Sequence, residues 1–146
     1  ILKLMVVSNL EMYIYGLDNI QGKMQMMMVI MEALTTINNK YDNYKDEENT
    51  GQQIPTDTGP IDILAISKDK KEVLVVELKK GRASDAVVGQ IQRYMGYVTE
   101  FVAEDNQQVK GVIIALDEDQ RIKFALKVAP NIEFYRYQVK FDLIKE

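Results

Sequence analysis

The sequence predicts an α/β fold, on three observations. Two β-rich apolar runs, Ile61–Ile66 and Val73–Leu78, flank the turn-like stretch "SKDKKE". A helical stripe follows, with Val87/Val88, Ile91, Tyr94/Met95, Val98 and Phe101/Val102 on one side. "KGVIIAL" then reads as a buried strand, "EDQRIKFALKVA" as a short helix stopped near Pro130, and the tail as a final strand. With 146 residues the chain is the size of one domain, 1–146, divided into an N-terminal part, 1–50, and a motif-bearing core, 54–146.

Each element has a local reason. "LKLMVV" and "EMYIY" alternate about the break "SNL" and read as a hairpin. "QGKMQMMMVIMEALTTINN" is rich in helix formers, and Met24, Met27, Met28, Met31 and Leu34 recur at helical spacing. It is apolar nearly all round, as expected of a helix covered on more than one side, by the core or by a partner. "NKYDNYKDEENTGQQ" is polar and reads as a loop. Ser84 is placed to cap the long helix, which runs on despite Gly89 and Gly96. In the tail, Tyr137, Val139, Phe141 and Leu143 face one way, and Gln138, Lys140 and Asp142 the other.

Composition excludes much chemistry. There is no cysteine, so disulfides, thiolate catalysis and cysteine-based zinc sites are absent, as fits a cytoplasmic protein. There is no histidine, so serine–histidine triads and HExxH sites are absent too. Hydrolysis must then run on carboxylates, lysine, tyrosine and a hard metal such as Mg²⁺ or Mn²⁺. No apolar run reaches transmembrane length, and no signal peptide is legible, so no membrane partner is expected. The chain opens on Ile1 and not on Met, which leaves its native start open. The net charge of −4 argues weakly against nucleic acid. Yet Lys68 to Arg93 holds seven basic and four acidic residues, a local net of +3.

The two apolar runs carry charges that need a reason. Asp62 lies inside the first, and Glu77 and Lys79 end the second. Buried charges are expensive unless paired. In an antiparallel hairpin centred between Asp69 and Lys70, Asp62 falls opposite Glu77 on one face, and Ile61/Leu78 and Ile63/Val76 pair on the other. Two carboxylates that close fit a hard divalent ion, and the Leu78 carbonyl could join its shell. Lys79, two residues on from Glu77, shares that face and can hold a water or a developing phosphate charge. Gln90 and Tyr94, four apart on the helix, face the same way as each other and could reach a phosphate. Lys80, Arg82 and Arg93 are candidates for phosphate-backbone contacts.

The residues "GPID…ELKKG…QIQRY" resemble the PD-(D/E)XK nuclease superfamily. Asp62 matches its first motif, Glu77-Leu78-Lys79 its (D/E)-x-K, and Gln90 with Tyr94 its helical Q-x-x-x-Y. "PTDTGPIDIL", "VELKKGRASDAVVGQIQRYMGYV" and "KGVIIA" are similar to the C-terminal nuclease domain of NucS-type (EndoMS-like) endonucleases, over about Ile54 to Ala115. The resemblance implies a restriction-endonuclease-like core, a central mixed β-sheet flanked by helices. It also implies Mg²⁺ or Mn²⁺, hydrolysis of DNA phosphodiesters, and a homodimer. NucS-type enzymes carry a separate N-terminal DNA-binding domain, for which this chain has no room, so a partner domain or chain is open. They also often place an acidic residue just before the "PT" segment, where this chain has Gln52 and Gln53. A further ligand could instead come from Glu32, Glu47 or Glu48.

Two other functions fit the same residues. A non-catalytic nucleic-acid-binding or assembly subunit would keep the fold and lose cleavage. A methionine-rich dimerisation module would bind neither metal nor DNA.

Overall fold

In a computed structural model of the chain, the described residues are 40–48, 51–79, 81–136 and 144–146. The expected N-terminal hairpin, the methionine-rich helix, Glu32, Lys80 and the alternation over 137–143 lie outside them.

Among the described residues ten elements follow in order: β1 (Tyr41–Asn43), β2 (Gln52–Ile54), β3 (Ile61–Ser67), β4 (Glu72–Leu78), β5 (Arg82–Ala83), α1 (Ala86–Phe101), β6 (Gln108–Ala115), β7 (Asp117–Glu118), α2 (Gln120–Lys127) and β8 (Ile132–Arg136). The main sheet is mixed, in the order β1-β3-β4-β6-β8, with β2 also on β3. β3 runs antiparallel to β4, whereas β4, β6 and β8 are parallel to one another. β5 and β7 form a second, two-stranded parallel sheet. The observed mixed sheet with helices is the expected fold class.

The hairpin has the expected register. Ile63 pairs with Val76 and Ile66 with Val73. Its turn is tied by Ser67: the carbonyl accepts from Lys70 N–H at 2.9 Å, and Oγ accepts from Glu72 N–H at 2.9 Å. Lys70 takes a positive φ of 61° there.

The parallel strands require crossovers, and the helices supply them. α1 connects β4 to β6 and buries Val87, Val88, Ile91, Tyr94, Met95 and Val98. These pack with Leu64, Val73, Val75 and Ile113 in one core cluster. Phe101 departs from the expected stripe: it is 68% exposed, its ring set against Tyr97 one turn earlier at 4.9 Å. Val102 takes the core side in its place. Ser84 does not cap the helix with its side chain. Asp85 is the N-cap, in helical conformation and without a side-chain bond, and Ser84 offers only its carbonyl, to Val87 N–H at 3.1 Å. α2 is capped properly, since Asp119 Oδ1 accepts from Ile122 N–H at 2.9 Å.

Gly96 lies in the interior of α1, and a Cβ there would meet nothing within 4 Å. Gly96→Ala should therefore stabilise the fold by about 0.5–1 kcal/mol, through helix propensity and a less flexible unfolded chain. A raised melting midpoint with unchanged α1 helicity checks this.

The polar stretch before β3, expected to be a loop, contains β1 and β2. Both add to the edge of β3, at Tyr41↔Ser67 and at Ile54↔Ile61. Leu64 is held on both sides of this edge: its carbonyl accepts from Tyr44 N–H at 3.0 Å, and its N–H donates to the Gly51 carbonyl at 2.8 Å. Gly51 has φ +86°, and a Cβ would lie 2.9 Å from the Leu64 carbonyl oxygen, so only glycine fits.

On the face away from α1, Glu72 ties three strands together. Its carboxylate takes Lys110 Nζ at 2.5 Å, Tyr41 Oη at 2.7 Å and Lys40 Nζ at 2.9 Å. The bonds from Lys110, Lys40 and Tyr41 hold its carboxyl down from an ordinary 4.5 to about 2. A depressed folded-state value stabilises above pH 4.5, and that stability is lost as pH falls towards 2. Acid unfolding in this window should cost wild type on the order of 1–2 kcal/mol more than Glu72→Gln, after solvent screening of the lysines. Parallel denaturant titrations at pH 7 and pH 3 check this.

Candidate active site

The register of β3 and β4, carried one pair outward, sets Asp62 opposite Glu77. Alternation turns both towards the face that carries Leu64, Val75 and α1. This is the end of the sheet where β3 starts and β4 stops. Both carboxylates are 2% exposed.

Polar contacts run on from each carboxylate. Asp62 Oδ2 accepts from Leu78 N–H at 2.8 Å, and Oδ1 from Gln53 Nε2 at 3.4 Å. Glu77 Oε1 is 3.3 Å from Lys79 Nζ. Lys79 Nζ also donates to Gln90 Oε1 at 3.0 Å, and Gln90 Nε2 donates to Tyr94 Oη at 3.1 Å. Glu77, Lys79, Gln90 and Tyr94 are thus linked by contacts, and the strand register sets Asp62 opposite Glu77. Tyr94 is also core, only 3% exposed, so its ring packs while its hydroxyl points at the site.

The glycine before the first motif residue has a physical role. Gly59 sits at φ +123°, and a Cβ would be 3.1 Å from Tyr94 Oη. Its carbonyl accepts from Thr56 Oγ1 at 2.5 Å, closing the turn that leads into β3. A side chain at 59 would strain the turn and press on the Tyr94 hydroxyl.

The donor set suits a hard divalent cation. Two buried carboxylates meet with oxygen donors and no sulfur or imidazole, the chemistry of Mg²⁺ or Mn²⁺. Among the described residues, no group of three or more acidic side chains could hold a metal. Glu47 and Glu48 are exposed and do not complete the pair. Leu78 buries its side chain and donates its N–H to Asp62.

Of the basic candidates, Arg82 and Arg93 fall within the described residues. Arg82, on β5, is 68% exposed at its side chain and sits 3.4 Å from Asp117 Oδ2 on β7. The Glu118 backbone N–H and then Arg82 hold the Asp117 carboxyl below its ordinary value. Arg93 is exposed on α1. No helix among the described residues is long and apolar enough to cross a membrane.

Two contacts were not foreseen: Gln53 on Asp62, and Leu78 N–H on the same carboxylate. The second follows once the hairpin register is known. The first needed β2, which three residues beside a polar loop do not announce.

No curated protein matches the sequence significantly. Among solved structures, the chain is similar to a repair endonuclease from Pyrococcus abyssi, at TM-score 0.60 and 25% identity over 77% of this chain and 45% of that one. It is also similar to EndoMS in a complex with dsDNA, at TM-score 0.60 and 23% identity over 77% of this chain and 43% of that one. EndoMS in apo form matches at TM-score 0.53 and 20% identity, over 78% and 44%. The chain therefore spans less than half the length of these neighbours. The family described as the endonuclease NucS C-terminal domain matches residues 22–140. By that match, which takes in every residue from Asp62 to Tyr94, the chain belongs to the NucS C-terminal domain family.

Proposed function

We propose that the chain is a metal-dependent endonuclease of the PD-(D/E)XK type, hydrolysing DNA phosphodiester bonds at the site of Asp62, Glu77 and Lys79. The observation that carries this is the grouping found in a member of a nuclease family: two buried carboxylates opposite each other in register, the Lys79 ammonium between Glu77 and Gln90, and Tyr94 behind. Asp62 and Glu77 would hold Mg²⁺ or Mn²⁺. When bound, such an ion polarises the scissile phosphate and lowers the pKa of a water. Lys79 Nζ, anchored by Gln90, orients the attacking water and offsets charge developing on the phosphate. Gln90 and Tyr94 fix Lys79 in place. Arg82, Arg93 and Lys80 contact the phosphate backbone.

The EndoMS neighbour was solved with dsDNA, so duplex DNA is the first substrate to try. A second copy of the chain, and a DNA-binding domain or chain, are the proposed partners. The test is incubation of labelled duplexes, matched and mismatched, with Mn²⁺ and with EDTA. Metal-dependent strand cleavage is the expected result. Saturable DNA binding without cleavage on any duplex or branched substrate would move the assignment to a non-catalytic subunit.

A further inference from the structure

Gln53 belongs to none of the motifs, yet three features converge on it. The β2–β3 ladder pairs Gln52 with Ile63 and Ile54 with Ile61, so Gln53 stands directly across from Asp62. Asp62 therefore has Gln53 on one side and Glu77 on the other. The Gln53 backbone has φ +49°, in the left-handed region that a non-glycine residue seldom adopts. Its amide Nε2 is 3.4 Å from Asp62 Oδ1. An ionised carboxylate only accepts hydrogen bonds, so the nitrogen is the end of the amide that faces it.

We infer that Gln53 is a positioning residue for the metal site: its amide donates to Asp62 Oδ1 and fixes the carboxylate in its ligating orientation. Leu78 N–H holds Oδ2 at 2.8 Å, so the two contacts grip both oxygens and resist rotation about the side chain. A carboxylate oxygen accepts more than one bond, so a donor on each does not bar a cation. Outer-sphere groups of this kind orient ligands and typically set metal affinity by 10–100-fold. The left-handed backbone is the conformation that delivers the amide, held by the edge pairing at Ile54 and Gln52. The inference rests on the metal reading above and adds a residue to it.

The test uses two variants that share the loss of the amide, one relieving the backbone strain and the other keeping it. Gln53→Gly accepts φ +49° freely. Gln53→Met keeps the length of the side chain and the strain. In the metal-free protein, Gln53→Gly should melt at or above the wild-type midpoint, and Gln53→Met at or below it. Both should bind Mn²⁺ about tenfold or more weakly, followed by the EPR signal of free Mn²⁺. Wild-type Mn²⁺ affinity in either variant overturns the role of the amide and leaves the metal site standing. Absence of Mn²⁺ binding in wild type, with Glu77→Gln indistinguishable from it, overturns the metal reading itself and the inference with it.

Discussion

Glu77→Gln is expected to abolish Mn²⁺ binding and to lower cleavage by about 10³-fold or more, while the metal-free protein gains stability. Glu77 is 2% exposed and stands beside a second buried carboxylate, Asp62. Burying an ion costs several kcal/mol, and a like charge alongside adds to it. Lys79 offsets part of this at 3.3 Å, but its side chain is 34% exposed and solvent weakens the pair. Glutamine keeps the shape and an oxygen for Lys79, and removes the charge. Asp62→Asn should lose Mn²⁺ binding equally but gain no stability, because the carboxylate accepts from Leu78 N–H and Gln53 Nε2. A charge-assisted bond as short as the one from Leu78 N–H contributes about 1.5–3 kcal/mol. Melting curves with and without Mn²⁺ separate the terms. Wild type should shift upwards with added metal, by about 2.7 kcal/mol at a hundredfold excess over Kd, and both variants should stay flat. Undiminished cleavage by Glu77→Gln would place the chemistry elsewhere.

The sequence showed the site more clearly than its frame. Asp62, Glu77 and Lys79 were legible because each breaks a rule: a charge in an apolar run needs a physical reason, and period 2 tells which face it shares. The register of β3 and β4 followed from that demand and was observed. The helix carrying Gln90 and Tyr94 was legible from periodicity. The polar segment before Gly59 was not. β1 and β2 are three residues each, held by backbone pairing at a sheet edge, and such pairing leaves no hydrophobic signature. Gln53 was therefore noted only as an amide at a position often acidic in similar enzymes. Its place across from Asp62 depends on the pairing of β2 with β3 and on the Leu64 N–H bond to Gly51, tertiary facts with a faint local cue in "TGQQ". Ser84 was misplaced as a cap for a common reason. Ser84 and Asp85 adjoin, both are N-cap residue types, and helix starts are uncertain by a residue or two.

Lys79→Met should separate catalysis from metal binding, since it removes only the cation. We expect turnover at saturating Mn²⁺ to fall about 10²–10³-fold, the usual loss for one preorganised charge donor at a developing anion. Metal affinity should hold or rise, because a positive charge 3.3 Å from Glu77 competes with the ion for that carboxylate. The methionine keeps the stem of the side chain, so the fold should persist. Lys79→Arg should not restore full activity. The ammonium is a compact donor bonded at 3.0 Å to Gln90 Oε1, and a planar fork is wider than that seat. Gln90→Ala should reproduce the defect in weaker form, about tenfold, because it frees Lys79 without deleting its charge. Turnover and Mn²⁺ affinity measured together decide the matter. Normal turnover at saturating Mn²⁺ with a large loss of affinity would make Lys79 a support for the carboxylates, and would leave the water to be oriented by another group.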